Sequence, residues 1–163
     1  MPPNEGKYKA NCDTIVDRIN GKIGFGIVIW NIRNNRGEVI ASCVQTMVVN
    51  FSIKTAKLVT VWKNIIFSGD YGLTPCSFEL DEACIVNWIK NDGHKDSVNR
   101  IILYDIDSMV NNLEEIDLCH TDRLANRVAR GLAIFVLKST DDTFLIEDFP
   151  CCFKKMLETD MPR

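Results

Sequence analysis

Apolar and polar positions alternate at short range along the first third of the chain. KYKANCDTI (7–15) predicts a strand, and the polar stretch VDRINGK (16–22) a turn. IGFGIVIW (23–30) is apolar and β-branched with glycines inside it, a second strand. NIRNNRG (31–37) has turn composition, and EVIASCVQTMV (38–48) predicts a third strand. Three strands in succession joined by turns imply an antiparallel meander.

The period then lengthens. Ala56, Val59, Trp62, Ile66 and Phe67 recur at three-to-four spacing, which predicts an amphipathic helix over 53–68 that ends near Gly69. CSFELD (76–81) returns to a strand. EACIVNWIKN (82–91) and SVNRIILYDIDSMV (97–110) predict helices, the second with Val98, Ile101, Ile102, Ile106 and Met109 on its apolar face. LEEIDLCH (113–120) predicts a strand and DRLANRVARGLAIFVL (122–137) a last helix. The order βββ-α-β-α-α-β-α predicts an α/β fold, a five-stranded mixed sheet with helices on both faces. Strands 1, 4 and 5 should be parallel neighbours because helices separate them. Ligands in such sheets bind at the carboxyl ends of the parallel strands, where Asp13, Asp81 and His120 fall.

Composition narrows the function classes. A chain of 163 residues, 46% hydrophobic and 25% charged, suits one globular domain over 1–163, with a core at about 7–140 and a tail at 141–163. A net charge of −3 and a pI near 5.4 give no global field for nucleic acid, so such binding would need a local basic face. Seven cysteines without a CxxC pair argue for reduced thiols in a cytoplasmic or nuclear setting. The polar start MPPNEGKYKAN has no signal-like apolar stretch, and no apolar run is long enough to span a membrane.

Two aspartates at the ends of neighbouring strands suit a hard cation such as Mg²⁺, although strand-terminal Asp taken alone is more often a turn or N-cap residue. Their company makes the pattern more specific. KANCD (9–13), GFGIVI (24–29), FELDEACIVNWI (78–89) and HTDRLANRVARGLA (120–133) together resemble the plant retroelement type of ribonuclease H domain, and FLIEDFPCCFKKMLETD (144–160) is similar to its closing segment. The resemblance implies the ribonuclease H-like fold and a nuclease that cuts the RNA strand of an RNA/DNA hybrid. Its cofactors would be two Mg²⁺ or Mn²⁺ ions held by four acidic positions.

Carried over motif by motif, two of those positions keep their acid, at Asp13 and Asp81. The other two fall on Lys57, in a helix with no Asp or Glu over 53–69, and on Arg130. Thr14 stands where the family has a glycine. Two carboxylates and two cations leave a neutral pocket. One cation about 4 Å from a divalent ion is repelled by about 8 kcal/mol at an effective dielectric near 20. The expectation is a metal site that is weak or absent and a domain that keeps the fold while losing two-metal catalysis. The competing reading of Lys57 is a solvated helix face.

Arg123, Arg127 and Arg130 fall at i, i+4 and i+7 of the last predicted helix, with Asn126 beside them. With Lys54 they offer a basic patch for phosphates; a solvated or acid-paired helix face accounts for them equally well. In the resemblance, His120 and Asn126 help to shape the substrate site. Trp30, Trp62 and Trp88 sit in apolar periodic segments and read as core. Three functions follow: a catalytically impaired module binding RNA/DNA hybrid or RNA, a residually active hybrid nuclease working through Asp13, Asp81 and His120, or a scaffold for an unknown protein partner.

Overall fold

The first strand, β1 (Tyr8–Asp17), pairs antiparallel with β2 (Lys22–Asn31) and sets Asp13 opposite Gly26. Between them Asp17 closes the turn by accepting from the Ile19 and Asn20 N–H groups and the Asn20 amide, and Gly21 takes φ 63°. The computed structural model describes residues 8–31, 38–48, 52–73, 76–91, 97–112, 116–124, 126–138 and 143–146. The predicted turn beyond Asn31, the start of the predicted strand at 113–115 and the tail after residue 146 lie outside them.

β3 (Glu38–Met47) completes the meander. α1 (Ile53–Asp70) follows, capped by Ser52, whose hydroxyl accepts from the Thr55 N–H at 3.2 Å. Then come β4 (Cys76–Leu80), α2 (Ala83–Asn91), α3 (Ser97–Asn112), β5 (Ile116–His120), α4 (Arg127–Leu137) and β6 (Thr143–Ile146). The sheet order is β5-β4-β1-β2-β3-β6, with β4 parallel to both β1 and β5. The five predicted strands are therefore present with the predicted parallel neighbours. The sixth was not predicted: four residues of the tail pair antiparallel with β3.

The pleat separates two cores. Ala10, Cys12, Ile27, Ile29, Ala41 and Cys43 pack with Leu58, Val61 and Ile65 on the α1 face. Val28, Trp30 and Val44 pack with Val128, Ala129, Leu132 and Val136 of α4 on the other. Trp30 is core as expected, its indole N–H donating to the Asn11 side chain at 3.1 Å. Gly24 and Gly26 lie under α4. A Cβ at Gly26 would stand 2.7 Å from the Ala133 nitrogen, and one at Gly24 2.8 Å from Leu137 Cγ. The GFG stretch thus lets the helix backbone rest on the strand.

Two helix expectations are corrected. α3 is rotated from its predicted face: Ile102, Leu103, Ile106 and Met109 turn inward, while Val98 and Ile101 are 49% and 66% exposed. Its rotation brings Asn99 inward to accept from the Thr55 hydroxyl at 2.7 Å, a buried bond to α1. α4 begins at Arg127 and not at residue 122, because Asn126 leaves helical geometry as its N-cap.

Candidate active-site cleft and its cations

The β1–β4 ladder ends at the Asn11–Glu79 pair. Just beyond it, a small cleft opens at the carboxyl ends of the parallel strands, lined by Asp13, Thr14, Lys57, Thr60, Asp81 and Glu82 among others. β1 supplies Asp13 and the turn after β4 supplies Asp81 and Glu82. α1 lies across them and supplies Lys57, whose side chain is only 19% exposed. The solvated-face reading of Lys57 is therefore wrong: the helix turns it inward. The Thr14 and Thr60 hydroxyls hydrogen-bond across the β1–α1 seam and fix the helix at this height.

Asp13 is the most enclosed acid of the cleft, at 5% exposure. Its Oδ1 accepts from the Thr14 N–H at 2.8 Å, whereas Oδ2 is buried without a hydrogen bond and faces the Arg130 guanidinium at 3.7 Å. Burial, reinforced by the charge of Asp81, pushes the Asp13 carboxyl up to about 6; the Thr14 N–H and the Lys57 and Arg130 charges oppose that rise. Arg130 arrives from α4, so the aspartate has a cation from the helix on each face of the sheet.

Glu82 is the residue that sequence reasoning missed. Its carboxylate pairs with the Lys57 ammonium, which holds it below the usual range against the effect of its burial. Three carboxylates and two cations leave the cleft at a formal −1 instead of the expected zero. Only adjacency to Asp81 could have drawn attention to Glu82, and a residue there reads as a helix start. Glu79 turns to Asn11 and Lys9, at 3.0 and 3.8 Å.

The other predicted site residues divide. His120 is exposed at the end of β5, opposite Leu80, and does not line the cleft; the next residue, Thr121, donates its N–H to the Leu80 carbonyl at 2.8 Å. Arg123 lies in the turn before α4, so it does not share a helical face with Arg127 and Arg130, a correction that follows from the late start of the helix. Asn126 is 1% exposed, and its amide donates to the Cys12 carbonyl at 2.9 Å. It ties the start of α4 to β1 next to Asp13 and has no surface to offer a strand of nucleic acid. Lys54 is exposed with its ammonium 5.2 Å from the Trp88 ring centroid. Beside the carboxylates, Cys12 is inert: burial first, and then the nearby acids, push its thiol up to about 12.

This topology, with a cleft at the ends of β1 and β4, is the ribonuclease H fold. The chain matches ribonuclease H1 of the halophilic archaeon Halobacterium salinarum with a TM-score of 0.74 at 15% identity, over 83% of this chain and all of that one. It matches the N-terminal ribonuclease H domain of a Mycobacterium tuberculosis protein at 0.71 and 16%, over 83% and 96%. A metagenomic compost ribonuclease H1 solved with an RNA/DNA hybrid matches at 0.68 and 14%, over 80% and 99%. No curated protein matches the sequence. The chain belongs to the reverse transcriptase-like family, whose model matches residues 11–136.

Proposed function

We propose that this domain binds nucleic acid, an RNA/DNA hybrid or RNA, through a ribonuclease H cleft in which two-metal hydrolysis is impaired. One observation carries the reading: Lys57 and Arg130 bring their cations against Glu82 and Asp13, in the same cleft as Asp81. In a two-metal site, carboxylates gather around ions about 3.5–4 Å apart. Among the described residues no three Asp, Glu, His or Cys side chains converge as ligands would. The donor set present does not fit a pair of Mg²⁺ ions, and no hydrolytic step is derived through them. An ammonium and a guanidinium act instead as permanent counter-ions of the acids. Kinship with a hybrid-bound ribonuclease H1 fold supports the choice of ligand.

The test compares the native chain with the Lys57→Glu, Arg130→Asp double variant on a labelled RNA/DNA hybrid, with Mg²⁺ and with Mn²⁺. The native chain should bind the hybrid without cutting it. In the variant, millimolar Mg²⁺ should raise Tm by several degrees and cleavage should appear, whereas Mg²⁺ should leave the native Tm unchanged. Native cleavage that disappears in Asp13→Asn would overturn the impairment. Failure to bind hybrid or RNA at low salt would overturn the ligand and leave a protein scaffold.

A further inference from the structure

A second depression lies at the other end of α1, away from the cleft. It is an open groove of about 380 Å³ between the second half of that helix and the β2–β3 ladder. Phe25 and Ile27 lie beneath it, nearly fully buried; the half-buried Trp62 and Ile66 of the helix, and Tyr71, 47% exposed, supply its accessible apolar surface. Charge is confined to Lys63, which donates to Gln45 at 2.7 Å, and to Asp70 beside Tyr71. An apolar trough containing two large aromatic rings is a surface that water covers at a cost.

The groove's other wall is β3, through Cys43 and Gln45, and β3 is the strand that β6 joins. Thr143 stands opposite Val44 and Ile146 opposite Ala41. The chain after Ile146 therefore starts one strand away from that wall, about 5 Å in a sheet. Three residues further on, an extended reach of about 10 Å, the sequence becomes apolar: FPCCFKKML at 149–157. Phe149, Phe153, Met156 and Leu157 recur at helical spacing, with Lys154, Lys155 and Glu158 between and after them. The two lysines complement Asp70.

We propose that residues 149–157 of this same chain dock in this groove, so that the tail covers the face that β2, β3 and α1 leave open. Tethering favours this occupant over any free partner, since β6 already holds the segment at high effective concentration. The inference is independent of the nucleic-acid reading, because the groove shares no residue with the cleft.

The experiment places a benzophenone photo-crosslinker at position 62, and separately at 71, in the full chain. Irradiated at low micromolar concentration, both chains should crosslink within themselves, and digestion should map the link to 149–157. A Phe149→Asp, Phe153→Asp variant should lower that yield at least tenfold. It should keep the amide-exchange protection of β1 and β2, which separates undocking from unfolding. Links to a second copy, seen at twice the mass, or links confined to other parts of the chain, would overturn the proposal. So would an undiminished yield in the double variant, and so would the absence of any link from both positions.

Discussion

Asp13 has the least comfortable environment in the cleft, and its discomfort is measurable. Its carboxyl is pushed up to about 6 from 3.8 by burial first and then by the charge of Asp81. Between those two values the folded chain holds a proton that the unfolded chain has lost, so stability falls as pH rises through this window. Two units correspond to about 3 kcal/mol, an order-of-magnitude cost present at pH 7 and absent below about pH 4. Asp13→Asn keeps an acceptor for the Thr14 N–H and removes the buried charge. It should raise the urea midpoint at pH 7, with a gain that shrinks to nothing near pH 4; a variant less stable than the parent at pH 7 would show that Arg130 and Lys57 more than compensate. Arg130→Ala should push the Asp13 carboxyl higher still, as followed by its side-chain NMR shift. Lys57 and Arg130 could be placed in this site from the sequence, because the surrounding motifs fix their positions. Glu82 could not, because its meaning lies in a contact with a helix 25 residues earlier in the chain.

The elements that hold these side chains are legible where their pattern has one solution. β1 to β3 alternate between two buried faces, and GFG marks where α4 must come close. Gly26→Ala should therefore cost about 1–3 kcal/mol through overpacking against the α4 backbone. The check is a lower urea midpoint at unchanged m. Because Arg130 sits on the displaced helix, the same variant should also shift the titration of Asp13, and an unmoved Asp13 would mean that the sheet yields and the helix does not. Where the pattern has two solutions, tertiary contacts choose. α3 is apolar almost all round, with Val98, Ile101, Ile102, Leu103, Tyr104 and Ile106 in nine residues, so the face that periodicity predicted was one of several and not the one that packs. The buried Asn99–Thr55 bond decided it, as the Asn126–Cys12 bond decided the start of α4. β6 was illegible for another reason: its four residues become a strand only because β3 offers an unpaired edge.

At the scale of the whole molecule, the proposed binding of a polyanion would run against the protein's own field. The net charge of −3 and the formal −1 of the cleft both repel phosphate. In that complex attraction would fall to exposed cations: Lys54 on α1, Arg123 in the turn after β5, and Arg130 at 44% side-chain exposure on α4. Three phosphate contacts release about three counterions, which sets a slope near −2.7 in log affinity against log salt. Raising salt from about 50 to 200 mM should then weaken hybrid binding roughly 40-fold, a modest loss beside the 10³–10⁵ typical of proteins making six to ten contacts. Arg123→Ala should make the slope shallower by about 1, whatever the sequence of the hybrid, if it meets the phosphate backbone in the proposed complex. Fluorescence anisotropy of a labelled hybrid over a salt series measures both. A slope twice as steep would require cations well beyond these three, and a slope of zero would mean that the ligand is held without phosphate contacts.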